Sequence, residues 1–215
     1  MEIHLRPVRL SDYRETEHVM REAFWNLYTP GCSEHYLVHI MRECSSFVPE
    51  LDIVAVHQEK IVGNIVYLKS VIKGDDGNGY PVLSLGPIAV LPEYQHRGIG
   101  GQMIEYTRKL AREMGFRAVL LCGDPAYYSR QGFVPAEAFG IRTADNMYAA
   151  ALQACELYEN ALTGAQGRYY EDPVYEVNGA LAAQFDKSFP PKKVITGTPS
   201  QKRFEEVSSM RRKAR

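Results

Sequence analysis

The chain has 215 residues, of which 45% are hydrophobic and 24% are charged, as in an ordinary globular protein. Its 25 Lys and Arg residues balance 26 Asp and Glu residues, for a formal net charge of −1. This balance argues against a nucleic-acid-binding protein, which needs clustered positive charge. The sequence has no apolar run long enough to span a membrane, and residues 1–10 lack the apolar core of a signal peptide. The four cysteines are scattered without a CxxC pair, so we expect reduced thiols, no metal site and a cytoplasmic protein.

The first part of the chain predicts a strand followed by two helices. Residues 2–9 alternate weakly between apolar and polar side chains, which indicates a strand. Ser11 is a residue type that often caps a helix, and apolar residues recur at helical spacing behind it. A second, short helix is expected over residues 33–42.

Two hairpins are predicted next. Residues 52–57 and 61–72 are rich in β-branched residues and are separated by a short polar turn. The segment 74–79 (GDDGNG) is dense in turn-forming residues and predicts the tip of a second hairpin. Its acidic residues lack the spacing of a calcium-binding loop, so we interpret it as a plain turn.

A strand, a helix and a second strand follow in close order. Residues 82–91 (VLSLGPIAVL) predict a buried strand, and the Gly86-Pro87 pair inside it indicates a bulge or a local splay. Residues 98–114 carry apolar side chains along one helical face, and residues 117–122 form the next apolar run. This βαβ order predicts that the two strands are parallel.

The pattern is weaker beyond Gly132. Residues 147–158 fit a helix by alanine content or a late strand, and the sequence does not decide between them. Residues 179–187 favour a helix, and Thr198 begins a capping box for a last helix. The basic run at its end is interpreted as a frayed, solvated helix end. It consists of Arg211, Arg212, Lys213 and Arg215.

The most informative segment is residues 95–101 (QHRGIGG), between a predicted strand and a predicted helix. A helix N-terminus has unpaired N–H groups and favours negative charge, so a diphosphate binds there if the backbone is accessible. Gly98 and Gly100 allow that approach, and Arg97 adds positive charge. The GxGxxG fingerprint would need glycine in place of Met103, and no P-loop motif occurs. Without further context, the same glycines fit a helix that only packs close to the sheet.

Two motifs, which occur in the expected order along the chain, resemble those of the GCN5-related N-acetyltransferase (GNAT) family. Gln95, Gly98 and Gly100 match its Q/R-x-x-G-x-G/A motif. Residues 123–133 (GDPAYYSRQGF) are similar to its second motif, an aromatic pair followed by Gly-Phe, in the bacterial type with a GDPxYYxRxGF segment. The resemblance covers residues 3–140 and implies an α/β fold with a mixed sheet, splayed parallel central strands and a C-terminal extension.

The resemblance also implies which residues contact acetyl-CoA. The pantetheine arm would enter the splay, and the pyrophosphate would lie on the glycine loop. The implied cofactor-binding residues are Ile88, Ala89, Val90, Gln95, His96, Arg97, Gly98, Ile99, Gly100, Gly101, Asp124, Tyr127 and Arg130. For Arg130, a surface salt bridge is an equally good interpretation, and Tyr127 is expected to pack against the arm.

Tyr128 matches the family position that donates a proton to the departing thiolate. A tyrosine is protonated at neutral pH and therefore suits this role. The oxyanion donor is expected to be a backbone N–H near Ala89. Residues 82–91 contain no acid to serve as general base. The candidates for the proton acceptor are a water chain, Glu22, Glu93 or a residue of the C-terminal extension.

These features predict a GNAT domain over residues 1–145 and an extension over residues 146–215 that packs on it. The expected activity is transfer of an acetyl group from acetyl-CoA to a primary amine of a small molecule or peptide. The alternatives are a non-catalytic acyl-CoA sensor on the same fold and a module in which the glycines serve only packing. The acceptor is not identified by the sequence, and a homodimer is left open.

Overall fold

The computed structural model describes residues 1–214, and a mixed β-sheet runs through that range. The strands are β1 (His4–Pro7), β2 (Ile53–His57), β3 (Lys60–Gly74), β4 (Gly79–Val90), β5 (Ala118–Cys122), β6 (Val134–Pro135), β7 (Ile141–Arg142), β8 (Met147–Ala149), β9 (Leu152–Glu156), β10 (Gly167–Tyr170) and β11 (Arg211–Lys213). The α-helices are α1 (Tyr13–Phe24), α2 (Glu34–Met41), α3 (Ile99–Glu113), α4 (Pro125–Tyr128), α5 (Gly179–Asp186) and α6 (Pro199–Ser209).

The main sheet has the order β1-β2-β3-β4-β5-β9-β6. Its neighbours are antiparallel except β4 and β5, which are parallel, as the strand–helix–strand order predicted. Strand β10 lies antiparallel to the second half of β3 and parallel to β7. The predicted α/β class with a mixed sheet is confirmed.

Strands β4 and β5 separate after a short paired region. Their pairing consists of Leu83 with Val119 and Ser84 with Leu120. Gly86 follows with φ +138°, a conformation that favours glycine, and the Gly86–Pro87 peptide is cis. The rest of β4 stays paired to β3, with a register shift beside the kink. The sheet is therefore open on the β5 side of β4, as the Gly-Pro pair predicted.

The prediction of Ser11 as a helix cap is wrong. Residues 10–12 form a short 3₁₀ turn, and α1 begins at Tyr13. The carboxylate of Asp12 accepts hydrogen bonds from the Arg9 N–H (2.8 Å) and from Arg6 Nη1 (2.5 Å). A carboxylate accepts several such bonds at once, and one to a guanidinium is charge-assisted. Asp12 therefore orders this turn instead of the serine hydroxyl.

Two groups of buried side chains flank the sheet. The larger one joins α1, α2 and α3 to β2, β3 and β4, and Val19, Met20 and Met103 in it are fully buried. The Tyr67 hydroxyl pairs there with Thr107 of α3 at 2.8 Å. The smaller group lies between β4, β5, β9 and β10. The core thus holds α1 and the start of α3 against the open edge of β4.

The ambiguous segment 147–158 forms strands rather than a helix. Strand β9 pairs with β5 over five residues, and its Leu152 and Ala154 are buried on one face of the sheet. Burial in the sheet overrides the helical preference of its alanines. Strand β10 was not predicted. The division into residues 1–145 and 146–215 stays a prediction, although β9 and β10 lie within the main sheet.

The interpretation of the basic C-terminal run as a frayed helix end is wrong. Arg211 to Lys213 form β11, which pairs antiparallel with β8. Arg211 contacts Asp145 at 2.6 Å, and Arg212 forms an ion pair with Glu137. The strand backbone and these carboxylates provide partners that a helix end in water lacks. Arg215 lies outside the described residues. None of the helices within residues 1–214 is both long and apolar enough to cross a membrane.

Candidate cofactor and active site

A cavity of about 610 Å³ lies where β4 and β5 separate. It is bounded by α1, the end of β4, the start of α3 and the α4 turn. Of the predicted site residues, those that line it are Ile88, Ala89, Val90, Gln95, His96, Gly98, Ile99, Gly100, Gly101, Asp124, Tyr127, Tyr128 and Arg130. The two sequence motifs, about 30 residues apart, therefore meet in one cavity.

Arg97 does not line this cavity. Its side chain is exposed, and Nη2 donates a hydrogen bond to the carbonyl of Glu93 at 3.0 Å. Its guanidinium carbon lies 5.8 Å from the centre of the Tyr94 ring. The positive charge that borders the cavity is instead that of Arg130, which forms no ion pair within residues 1–214.

The glycine loop opens the N-terminus of α3 to the cavity. Gly98 caps the helix with φ +79°, a left-handed conformation that favours glycine. The first backbone bond of the helix runs from Gln102 N to Gly98 O at 3.0 Å, so the N–H groups of residues 99–101 have no partner inside the helix. A Cβ on Gly100 would lie 2.7 Å from the Tyr127 hydroxyl oxygen. The missing side chain therefore leaves room for the Tyr127 hydroxyl beside the start of the helix.

The end of β4 has an unpaired edge toward the cavity. Residues 88–90 pair with β3 on one side, while β5 pairs with β4 only at Leu83 and Ser84 on the other. The Val90 carbonyl already accepts a hydrogen bond from Gln95 Nε2 at 2.9 Å. Gln95 thus ties the glycine loop to the strand. Backbone groups alternate in direction along a strand, so those of Ile88 and the N–H of Val90 are the ones left open.

The turn after β5 positions Tyr128. The side chain of Asp124 accepts a hydrogen bond from Ala126 N at 2.9 Å and caps α4. The Tyr128 ring contacts the rings of Tyr127 and Phe133 edge to face, with centroids 4.9 and 5.7 Å apart. A Cβ on Gly123 would lie 2.8 Å from Tyr128 Cδ2, so the glycine leaves room for the ring.

Burial keeps Tyr128 protonated. Burial first, and then the neighbouring tyrosines Tyr28, Tyr127 and Tyr67, raise the pKa of its hydroxyl far above the usual value. Tyr28 lines the same cavity, and burial together with the charges of Glu34 and Asp124 raises the pKa of Tyr28 to about 12. The cavity thus presents phenol groups that hold a proton throughout the neutral pH range.

The C-terminal helix α6 contacts two residues that line the cavity, Asp124 and Tyr28. Arg203 Nε lies 2.8 Å from Asp124 Oδ2, and Arg203 Nη2 lies 3.1 Å from Oδ1. The ring of Phe204 stacks on Tyr28 with centroids 5.0 Å apart. These partners are separated by 79 and more residues in sequence, and no local pattern signals such a pairing.

Neither named candidate for the general base lines the cavity. Glu22 forms an ion pair with Lys192 at 2.8 Å, and Glu93 forms one with Lys60 at 3.1 Å. The carboxyl of Glu93 is exposed, and backbone hydrogen bonding followed by Lys60 lowers its pKa. A lower pKa makes a carboxylate a weaker base.

Known proteins share this arrangement. The profile described as the acetyltransferase (GNAT) domain matches residues 49–135. YhbS of Escherichia coli strain K12, an uncharacterized N-acetyltransferase, is 31% identical over 142 residues, which cover 65% of this chain and 82% of YhbS. YjhQ of the same organism, likewise an uncharacterized N-acetyltransferase, is 37% identical over 100 residues. That match spans 46% of this chain and only 54% of YjhQ.

Solved structures have the same fold. The crystal structure of Escherichia coli YhbS in complex with CoA superposes with a TM-score of 0.73 at 24% identity, over 83% of this chain and 94% of YhbS. A GNAT family acetyltransferase from Brucella melitensis, in complex with acetyl-CoA, gives a TM-score of 0.65 at 25% identity. The match covers 81% of this chain and 98% of the Brucella protein.

A mixed sheet that splays at parallel central strands, with a glycine-rich helix start beside the opening, defines the acyl-CoA N-acyltransferase class of fold. Together with the match to YhbS, these features show that the chain belongs to the GNAT acetyltransferase family. The resemblance predicted from Gln95, Gly98 and Gly100 is therefore confirmed at the level of the family.

Proposed function

We propose that this protein is an N-acetyltransferase that moves an acetyl group from acetyl-CoA to a primary amine of a small molecule or peptide. The observation that carries the proposal is the cavity at the splay, because one space joins an open strand edge, an exposed helix N-terminus and the half-buried phenol of Tyr128. The complexes of the Escherichia coli and Brucella melitensis relatives with CoA and acetyl-CoA support it.

The cofactor would occupy two parts of this cavity. The unpaired N–H groups of residues 99–101 suit a pyrophosphate, because they combine hydrogen-bond donors with the positive end of the α3 dipole. Arg130 adds a positive charge on the same wall. The open edge of β4 at Ile88 and the Val90 N–H suits the amides of a pantetheine arm, which would pair with it as an added strand does.

Acetyl transfer requires an oxyanion donor and a proton for the leaving thiolate. A backbone N–H near Ala89, on the open edge of β4, would donate a hydrogen bond to the oxyanion of the tetrahedral intermediate. Tyr128 would protonate the thiolate, because its hydroxyl stays protonated and its ring is held by Tyr127 and Phe133.

Calorimetric titration of acetyl-CoA tests the cofactor site. We expect Gly98→Trp to lose roughly 100-fold in affinity, because the indole would fill the mouth of the phosphate cradle. Gly77→Trp is the matched control: Gly77 also has a positive φ (+84°) and open surroundings, but it lies at a hairpin tip. Equal affinities of the two variants, or no binding by the unmodified protein, would contradict the proposal.

Release of the free thiol from acetyl-CoA in the presence of primary amines then tests catalysis. Amine-dependent thiol release is the expected result. Tight binding of acetyl-CoA without any amine-dependent release would instead favour the non-catalytic sensor, which the absence of an acid in residues 82–91 keeps as the second candidate.

A further inference from the structure

A second group of polar side chains meets at the separation of β4 and β5, and none of its members lines the cavity described above. The Tyr175 hydroxyl donates a hydrogen bond to the carbonyl of Gly86, the residue at the kink of β4, at 3.1 Å. The Tyr169 hydroxyl pairs with Ser84, the last β4 residue that is still paired to β5. Cys122, the last residue of β5, is exposed. At the splay, β4 thus contacts both β10 and the segment that follows it.

Glu171 lies in this segment without a partner of its own. It follows Tyr169 by two residues, so the two side chains share a face of the extended chain. Across residues 1–214 its carboxylate takes part in none of the ion pairs or side-chain hydrogen bonds, and it retains contact with solvent. An unpaired carboxylate is available to a cationic ligand.

Glu171 lies between two tyrosines that contact β4 at the splay, Tyr169 at Ser84 and Tyr175 at Gly86, and its charge acts on groups around it. Although Cys122 is partly exposed, the protein packed around its thiol and then the negative charge of Glu171 raise the pKa of that thiol to about 12. The same two causes raise the pKa of the Tyr175 hydroxyl. The surrounding protein removes part of the hydration of Glu171 and thereby raises the pKa of its carboxyl. The side chain still touches solvent. A carboxylate with a raised pKa is a stronger base.

We infer that Glu171 binds the ammonium group of the acceptor at the splay and takes a proton from it. The resulting free amine then attacks the thioester. The inference rests on the proposed acetyl transfer and adds a catalytic residue to it. The site accordingly takes primary amines that are cationic in water, and their approach would be along the face that carries Glu171 and Cys122.

The proton balance follows directly. The ammonium gives one proton to the Glu171 carboxylate, which passes it to solvent. The free amine then attacks the thioester carbon, so that an N–C bond forms and the C–S bond breaks. The nitrogen loses its second proton to solvent, and the thiolate gains one from Tyr128, which solvent reprotonates. The sum is one amide, one free thiol and one released proton.

Several titratable and charged groups face Glu171. Tyr169 lies two residues before Glu171, and Asp172 directly follows it. Tyr175 lies in the next turn, and Cys122 lies at the end of β5. Lys69 and Lys73 of β3 line a shallow recess that Glu171 shares, but neither forms an ion pair with it. The Nζ of Lys73 lies 4.2 Å from the centre of the Tyr170 ring.

Binding of a simple amine tests the site separately from the proposed function. Acetyl-CoA is first titrated into the unmodified protein and Glu171→Gln, and equal affinities show that the cofactor site is intact; no binding would overturn the proposed function itself. n-Butylamine and its uncharged counterpart n-butanol are then titrated into the CoA-loaded proteins. We expect the unmodified protein to prefer the amine roughly tenfold, and Glu171→Gln to lose this preference.

Glu176→Gln is the matched control, because Glu176 is an exposed carboxylate five residues away. It should keep the amine preference. Thiol release with n-butylamine as acceptor should fall about 100-fold in Glu171→Gln and stay unchanged in Glu176→Gln, as expected for loss of a general base. An amine preference that survives in Glu171→Gln, or that the unmodified protein lacks, would overturn the assignment, as would an equal rate in Glu171→Gln.

Discussion

At the scale of single residues, Gly123 and Tyr128 depend on each other. The glycine leaves space that the tyrosine ring occupies, and Tyr127 and Phe133 hold the ring from two further sides. The hydroxyl of Tyr128 is therefore held in position by packing, without any hydrogen bond of its own within residues 1–214. Its role in catalysis can be separated from its role in packing, because phenylalanine keeps the ring and removes only the hydroxyl.

Tyr128→Phe is expected to lower kcat roughly 100-fold, since the leaving thiolate would lose its proton donor. The affinity for acetyl-CoA should change little, because the ring stays in place. Steady-state thiol release and calorimetry measure the two quantities. Tyr158→Phe is the control, since Tyr158 is exposed. An unchanged kcat in Tyr128→Phe would exclude the tyrosine as the proton donor.

Gly123→Ala tests the packing that holds this ring. The added methyl group would overlap the Tyr128 ring and displace it, so we expect kcat to fall about tenfold or more while the protein stays folded. Gly179→Ala is the control, because a Cβ on Gly179 meets nothing within 4 Å. Full activity of Gly123→Ala would show that the position of the ring is not critical.

Asp12 makes the stability of the N-terminal turn dependent on pH. The hydrogen bond from Arg6, followed by that from the Arg9 N–H, lowers the pKa of Asp12 below its usual value of 3.8. A lowered pKa in the folded state stabilises the protein above the unfolded-state pKa, and this contribution is lost as the pH falls through the folded-state value. Asp12→Asn should therefore cost about 1–2 kcal/mol at pH 7.

Urea unfolding at pH 7 and at progressively lower pH measures this difference. The difference in unfolding free energy between Asp12→Asn and the unmodified protein should shrink as the pH falls below about 3.8. Glu159→Gln, which changes an exposed carboxylate without a partner within residues 1–214, should behave as the unmodified protein does. A gap that is independent of pH would show that the Asp12 charge does not contribute.

At the scale of elements, helix α6 joins the C-terminal part of the chain to the cavity. Its capping box is complete: the Thr198 side chain accepts a bond from Gln201 N, and Gln201 bonds back to the Thr198 N–H. Phe204 stacks on Tyr28, and Arg203 pairs with Asp124. The start of the helix is therefore set locally, whereas its position against the cavity depends on contacts with α1 and the α4 turn.

Thr198→Ala removes the cap and is expected to cost about 1 kcal/mol of unfolding free energy. Ser208→Ala, an exposed change near the end of the same helix, should have a much smaller effect. Urea unfolding of both variants measures the difference. If α6 unfolds independently of the rest, both variants would show the same midpoint.

At the scale of the whole molecule, the sheet is assembled from distant parts of the chain. Strand β9 pairs with β5 over five residues, and β10 pairs with β3 over four. Without β9, the apolar strand β5 would have an exposed edge beyond its short pairing with β4. The segment after residue 145 thus contributes to the core, and its Arg203 and Phe204 contact residues that line the cavity.

Two truncations test this dependence. A chain that ends at residue 145 loses β9 and β10 and is expected to unfold or aggregate, since buried residues such as Leu120 would be exposed. A chain that ends at residue 197 keeps both strands and should fold, with weaker acetyl-CoA binding because α6 is missing. Circular dichroism and thermal unfolding compare them. Cooperative folding of the shorter chain would support residue 145 as a domain boundary.

Local patterns were sufficient for much of the molecule. The order of strands and helices up to residue 122, the splay at Gly86-Pro87 and the capping box at Thr198 depend on period, turn chemistry and backbone conformation, which are properties of neighbouring residues. The phosphate-binding role that we propose for residues 95–101 comes from a local pattern too, because glycine and a helix start lie side by side in sequence.

The sequence by itself thus determined the family, the glycine loop and the tyrosine of the second motif. Tertiary structure alone decided that residues 152–156 form a strand, that Asp12 instead of Ser11 orders the first turn, and that Arg97 points away from the cavity. It also brought Tyr169 and Tyr175, which flank Glu171 in sequence, to the splay, and it brought Arg203 to Asp124. These features depend on residues that lie far apart along the chain or compete for one partner, and the outcome is set by burial and charge in the assembled fold.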